Sequence, residues 1–320
     1  MTAEQKPLDV LVLAGGISHE RDVSVRGGNR LADAIKHQGA HVTVLEPNAK
    51  LLNEVRELAP DVIWPVLHGA SGEDGALRDV LDLTGIPYVG SGPAAARLAW
   101  DKSSAKELAH RAGVATPAFA AFPRETFSEL DVRSVLDAII AKHGLPLVVK
   151  PIKGGSAQGV TIVRDETDLG RALVDAYSYA DGLLVEDFID GTEVAVTIVD
   201  TGDGPEALPI VEIYPVKGEY TYEARYTAGE TDFFVPARLE AEVAASVAAA
   251  AVTVHEAIGL VDFSRIDFIV DAEGVPWFID ANVTPGVTET SLAPLAMRGA
   301  SRSEGAVYLE LAQAAIARHA

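Results

Sequence analysis

Apolar residues come first as a continuous run over 9–14 (DVLVLA), closed by Gly15-Gly16, which is the pattern of a buried strand followed by a turn. Helical spacing over 24–38 ends at Gly39, and apolar runs at 41–45 and 62–67 predict two further strands, the last entering His68-Gly69 after a helical segment. Strands alternating with helices predict a parallel sheet with ligand-bearing loops at its carboxyl edge. A second unit opens near residue 94 with a helix to 111, continues with a helix over 128–143, and holds strands at 147–150, 159–163 and 183–188 around a Gly-rich loop. The third carries an antiparallel-looking series at 194–199, 209–214, 264–270 and 275–282, interrupted by an Ala-rich helix over 239–258. In that helix Val243, Val247, Val254 and Ile258 repeat at helical spacing, so one face packs on a core. The expected units are 1–93, 94–188 and 189–320.

Composition narrows the chemistry. The 320 residues carry 26 Lys+Arg against 47 Asp+Glu, a net charge of −21, which argues against nucleic acid and against anionic lipid as partners. No cysteine is present, which removes disulfides, thiolate zinc, iron–sulfur clusters and a Cys nucleophile. The first residues lack the apolar region of a signal peptide, and the apolar stretch 243–254 is about half the twenty residues a bilayer needs, so a cytoplasmic chain without a membrane partner is expected.

Three segments could carry chemistry. On the last two strands Arg265, Asp267 and Ile269 share one face, as do Asp280 and Asn282, and a two-residue turn at Glu273-Gly274 would set Asp267 opposite Asp280. Facing carboxylates repel, whereas two acids and an Asn carbonyl converging on one spot suit a hard divalent cation such as magnesium. Two solvated aspartates at an exposed edge are the alternative; the apolar neighbours Phe263, Ile266, Phe268 and Trp277 weigh toward the metal. The loop 150–159 (KPIKGGSAQG) offers glycines for close backbone approach to phosphate oxygens and Lys150 as a point charge, although such loops are often mere connections. The segment 15–24 (GGISHERDVS) lies where open α/β sheets place ligands, and Glu20 could hold an ammonium; a loop in which Ser24 or Asp22 caps the helix is the alternative. The stretch 90–95 (GSGPAA) reads as a turn rather than a dinucleotide site, and Walker, nucleophile-elbow and zinc-protease motifs are absent. Trp64, Trp100 and Trp277 read as packing residues, and His68 as a core histidine.

Taken in order, GGISHERDVS (15–24), HGASGEDG (68–75), GIPYVGSG (85–92), WDK (100–102), KPIKGGSAQGV (150–160), YEARY (222–226), SRIDFIVD (264–271) and DANVTPGVTETSL (280–292) resemble the D-alanine–D-alanine ligases of the ATP-grasp superfamily over nearly the whole chain. The resemblance implies a mixed α/β and α+β fold of three domains: an N-terminal Rossmann-like parallel sheet, a central α+β domain and a C-terminal, mostly antiparallel sheet with helices. It implies ATP and two magnesium ions, with manganese as a substitute, D-alanine as substrate, and a homodimer. Lys102 and Lys150 would contact ATP phosphates under the loop of Gly154, Gly155 and Ser156. Glu186, Asp187, Phe188 and Ile189 would face adenine, Glu193 the ribose, and Arg225 the phosphates. Asp267, Asp280 and Asn282 would hold the metals, and Arg265 would stabilise the developing oxyanion. Glu20, Ser156 and Tyr226 would anchor the first D-alanine and pin the closing loops, with Tyr226 favouring dipeptide over ester. Ser291 and the backbone of Leu292 would hold the second D-alanine, with Gly286 passing close to the reacting atoms.

The chain departs from the family pattern in Gly154 and Ala157 of the phosphate loop, in Thr221, in Arg225 where lysine is usual, in Asp280 where glutamate is usual, and in Ala281 and Val283. These changes leave the reaction class expected and the substrate open, so another carboxylate–amine ligase of the same superfamily is the alternative; a nucleotide-binding module without catalysis is a further one, against which the joint presence of Lys102, Lys150, Arg265, Asp267 and Asn282 argues.

Overall fold

A computed structural model of the chain describes residues 6–216, 218 and 229–319. Strands β1 (Asp9–Ala14), β2 (His41–Leu45) and β3 (Val62–Val66) form a parallel sheet in the order β2-β1-β3. β1 is central and buried along nearly its whole length, which is why its sequence reads as an unbroken apolar run. The crossover helix Arg21–Lys36 begins three residues earlier than its spacing suggests. Ser24 does not cap it: its buried hydroxyl accepts the Gly15 N–H and donates to the Val66 carbonyl, tying the loop to both strands.

The second sheet joins β4 (Phe119–Pro123), β5 (Leu147–Pro151), β6 (Thr161–Val163) and β7 (Gly182–Asp187) in the antiparallel order β4-β7-β5-β6. The helix expected over 94–111 is two helices, Pro93–Trp100 and Lys102–Arg111. Asp101 breaks it by adopting an extended conformation in which its carboxylate accepts the N–H of Ser104, a side-chain cap that competes with helix continuation. The helix expected from 128 starts at Val132, because Asp131 caps it through the Ser134 N–H. Strand β4 and the helix Glu166–Tyr177 add to the elements read from sequence.

The third sheet contains β8 (Thr192–Val199), β9 (Glu206–Ala207), β10 (Val211–Pro215), β11 (Thr231–Phe234), β12 (Phe263–Val270) and β13 (Pro276–Asn282), ordered β11-β10-β8-β12-β13 with β9 beside β8. The helix Ala241–Ile258 is long and apolar enough by composition to cross a membrane, longer than the dozen residues first apparent, but Val247, Ala251, Val254 and Ile258 are packed into a core with β8 and β12. Two C-terminal helices, Leu292–Gly299 and Glu304–His319, were not evident from the sequence reading.

The β12–β13 hairpin corrects the expected turn. Three residues, 272–274, form the loop: Gly274 N–H donates to the Asp271 carbonyl and Gly274 adopts φ +81°. That would shift the register by one, yet Asp267 still faces Asp280. A bulge between Asp267 and Phe268 makes up the difference, with Ile279 as the extra residue on the partner strand. The bulge lets Phe278 and Asp280, two residues apart, point to opposite faces: Phe278 meets Phe268 in the core with ring centroids 6.1 Å apart, while Asp280 faces outward toward Asp267.

Candidate active site

A cavity of about 240 Å³ lies between the second sheet and the β12–β13 hairpin. Alternation along β12 buries Ile266, Phe268 and Val270 and turns Arg265, Asp267 and Ile269 to this cavity, where Asp280 and Asn282 of β13 join them. Arg265 grips Asp267 with two parallel bonds, Nε to Oδ1 at 2.7 Å and Nη2 to Oδ2 at 2.8 Å. Asp280 is paired with Lys102, whose ammonium lies 3.0 Å from Oδ1 and 2.9 Å from the Gly154 carbonyl. Asn282 accepts the Thr284 N–H through its side-chain oxygen. Each of the two facing acids, Asp267 and Asp280, thus has a cation beside it.

Across the cavity, Lys150 projects from β5 and Glu186 from β7, both almost fully buried, 2.5 Å apart. Asp187, Phe188, Ile189 and Glu193 continue the wall from β7 into β8. Over it runs the Gly-rich loop, with Gly154, Gly155 and Ser156 on the lining. Ser156 and Ala157 hold positive φ of 52° and 55°, a costly conformation for residues with a Cβ. The Ser156 hydroxyl donates to Glu20 at 2.5 Å, bringing the loop after β1 against the loop after β5.

Gly286, Ser291 and Leu292 do not line the cavity. They sit in the turn leading into the helix Leu292–Gly299, where a Cβ at Gly286 would fall 2.8 Å from Ser291 Oγ and that hydroxyl is bonded to Thr288. Tyr226 and Arg225 lie outside the described residues. Trp100 lines the cavity, Trp64 packs edge-on against Tyr308, and the Trp277 indole donates to Asp271.

Two residues of the site had not been singled out in the sequence. Glu73 lines the cavity wholly buried; burial, then the negative charge of Glu20, pushes its carboxyl up to about 8, so it is mostly protonated at neutral pH. His68, also buried, lies 3.9 Å from it, and burial lowers its basicity. Lys106 lies beneath the cavity, completely buried, with Nζ 2.8 Å from Glu186. Its signal was its place on the helix Lys102–Arg111: with Ala105 and Ala109 it occupies the buried face, where a lysine is expensive without a partner.

Residues 108–314 match the family profile described as D-ala D-ala ligase C-terminus, and residues 45–91 match that of the D-ala D-ala ligase N-terminus. The chain belongs to the D-alanine–D-alanine ligase family. Among relatives of the family, the D-alanine--D-alanine ligase of Bordetella petrii is 38% identical over 94% of this chain and 88% of its own length. That of Anaeromyxobacter sp. is 40% identical over 89% of each. Solved ligases share the architecture. The VanG D-Ala:D-Ser ligase of Enterococcus faecalis superposes with a TM-score of 0.82 at 27% identity, covering 97% of this chain and 100% of that one. The Bacillus anthracis D-alanine--D-alanine ligase complexed with ATP gives 0.82 at 26%, covering 98% of each.

Proposed function

We propose that this ligase joins two D-alanines, using ATP to activate the carboxylate of the first, and supplies the dipeptide for peptidoglycan in the cytoplasm, acting as a homodimer. The observation that carries the reading is the cavity itself: Lys102 stands beside Asp280 at a hairpin face that also presents Arg265, Asp267 and Asn282, Lys150 faces them from the opposite wall, and a Gly-rich loop runs over the cavity. Phosphoryl transfer and amide formation by this route need no protein nucleophile, only positioned cations and oriented substrates.

In this reading Lys102 and Lys150 hold phosphate oxygens while the first D-alanine carboxylate oxygen attacks the terminal phosphorus, giving an acyl phosphate and ADP. The amine of the second D-alanine, after losing a proton, attacks the acyl carbon. Arg265 steadies the oxyanion of the tetrahedral species, and inorganic phosphate leaves as the amide forms. Glu20, held by the Ser156 hydroxyl, receives the first ammonium. The family resemblance assigns the second carboxylate to Ser291 and the Leu292 N–H, which sit in the turn outside the cavity lining.

Asp267, Asp280 and Asn282 present an oxygen-only donor set that fits magnesium, and manganese in its place. No group of three or more His, Asp or Glu that could hold a metal occurs among the described residues, so phosphate and water oxygens would complete the coordination. Bound there, the ions would neutralise phosphate charge.

Phosphate release coupled to ATP consumption, measured with D-alanine, L-alanine, D-serine and D-lactate, decides the matter. Magnesium-dependent release with D-alanine, and D-alanyl-D-alanine seen by mass spectrometry, is the expected outcome. Turnover only with another amino acid would assign a different ligase, and none with any would leave a nucleotide-binding module.

A further inference from the structure

Lys106 and Lys150 share one carboxylate. Lys150 Nζ lies 2.5 Å from Glu186 Oε1, and Lys106 Nζ lies 2.8 Å from Oε2. Lys106 also donates to Thr116 Oγ1 at 2.7 Å and to the Phe278 carbonyl at 3.4 Å, so its ammonium has three oxygen partners, on two strands and on the loop before β4. It has no surface on the cavity, whereas Lys150 and Glu186 do.

Two cations on one anion leave a surplus positive charge in a buried cluster. A lone Lys150–Glu186 pair would be neutral, and the lysine would be fully committed to its carboxylate. With Lys106 occupying the second oxygen, the carboxylate is divided, and the surplus is exposed where the cluster meets the cavity, at Lys150. An uncompensated charge in low dielectric is costly, and an incoming polyphosphate relieves that cost. We propose that Lys106 is a positioning residue that shares Glu186 with Lys150 and thereby keeps the Lys150 ammonium available to nucleotide phosphate, a role that rests on the nucleotide reading of this cavity.

The surrounding charges agree. Burial, against the pull of Glu186, brings the Lys106 ammonium down to about 8, with Lys150 lowering it further and Asp280 raising it. It therefore remains mostly protonated at neutral pH. Burial would raise Glu186, but Lys106 and Lys150 outweigh it and hold the carboxyl below its usual range. The groups acting on Lys106 are thus Glu186 from β7, Lys150 from β5 and Asp280 from β13.

The test compares the affinities of AMP-PNP, by calorimetry with magnesium, and of adenosine, by saturation-transfer NMR, in the wild type, Lys106→Met and Lys106→Arg. Lys106→Met should weaken AMP-PNP about tenfold or more, the worth of one charge-assisted contact, and change adenosine less than about threefold. Lys106→Arg, which keeps the charge, should restore most of the AMP-PNP affinity. Unchanged AMP-PNP affinity in Lys106→Met, or equal losses for both ligands, overturns the proposal. If Lys106→Met does not fold, the wild type and Lys106→Arg are compared between pH 7 and 9. AMP-PNP affinity should then fall more with rising pH in the wild type, and parallel profiles overturn the idea. A wild type that binds neither ligand overturns the nucleotide reading as well; one that binds both while its variants behave identically overturns this inference alone.

Discussion

Single side chains at this site are set by what lies beside them. Arg265 is fixed by two bonds to Asp267 and is mostly shielded from solvent, so its guanidinium is already placed before substrate arrives. Removing such a preorganised donor typically costs a hundredfold or more in turnover. Arg265→Ala should therefore lower kcat per folded molecule by about that factor and also lower the melting temperature, because Asp267 loses its partner; undiminished turnover would show that the oxyanion forms elsewhere. Glu73 makes a different prediction, in stability. Its carboxyl is raised to about 8 in the folded chain against about 4.5 unfolded, so between those values the folded state binds the extra proton. Its contribution is complete below pH 4.5 and is lost as pH rises toward and through 8. Glu73→Gln keeps an oxygen for the Gly69 N–H but cannot titrate. The stability difference between variant and wild type should thus shift in the variant's favour from pH 5 to pH 8 in denaturant titrations, and a constant difference would mean that Glu73 is ionised throughout. Arg265 and Asp267 are legible as one face of a strand, but Glu73 is buried against groups distant in sequence, and Lys106 reaches Glu186, eighty residues on, only through the fold.

At the scale of elements, legibility followed the type of signal. The buried strands β1, β3 and β7 stand out because an apolar run has little else to be. The helix break at Asp101 is quieter, since Trp100-Asp101-Lys102 contains neither Gly nor Pro and only the capping carboxylate stops the helix. The helix Glu304–His319 carries a stripe of Val307, Tyr308, Leu311, Ala312 and Ala315 at helical spacing, a legible signal. The β12–β13 hairpin shows how a correct pairing can arise from the wrong turn, because a longer loop and a bulge offset one another. Its turn can be attacked without touching the acids. A Cβ at Gly274 would meet Val243 Cγ2 at 2.8 Å, and alanine at φ +81° is strained in any case. Gly274→Ala should cost about 1–3 kcal/mol of stability. Three ordinary residue pairs and the bulge separate this turn from Asp267, so turnover per folded molecule should be unchanged. A loss of turnover exceeding the loss of folded protein would mean that the turn, not the bulge, sets the register of the two acids.

Across the whole molecule, the ends of the chain share one core. The cluster around β1 and β3 includes Ala195, Val211 and Ile213 of the third sheet and Val307, Tyr308, Leu311 and Ala315 of the C-terminal helix. Tyr308 is a central member of it: its ring is fully buried, with its centroid 5.5 Å from that of Trp64 at 78°. Truncating a buried aromatic to alanine costs about 3–5 kcal/mol through lost transfer energy and the cavity left behind. Because that core spans the first and third sheets, Tyr308→Ala should lower stability by this amount in one cooperative transition, seen alike by tryptophan fluorescence and by far-ultraviolet circular dichroism. Two separated transitions would show that the sheets unfold independently. The hydroxyl supplies the control. It is buried and has no hydrogen-bond partner among the described residues, so its desolvation is uncompensated. Tyr308→Phe removes that penalty while keeping the ring, and should leave the protein equally stable or more stable by about 1 kcal/mol. Should Tyr308→Phe instead destabilise the protein, the hydroxyl has a partner, and part of the alanine loss would belong to that bond and not to packing between the two ends of the chain.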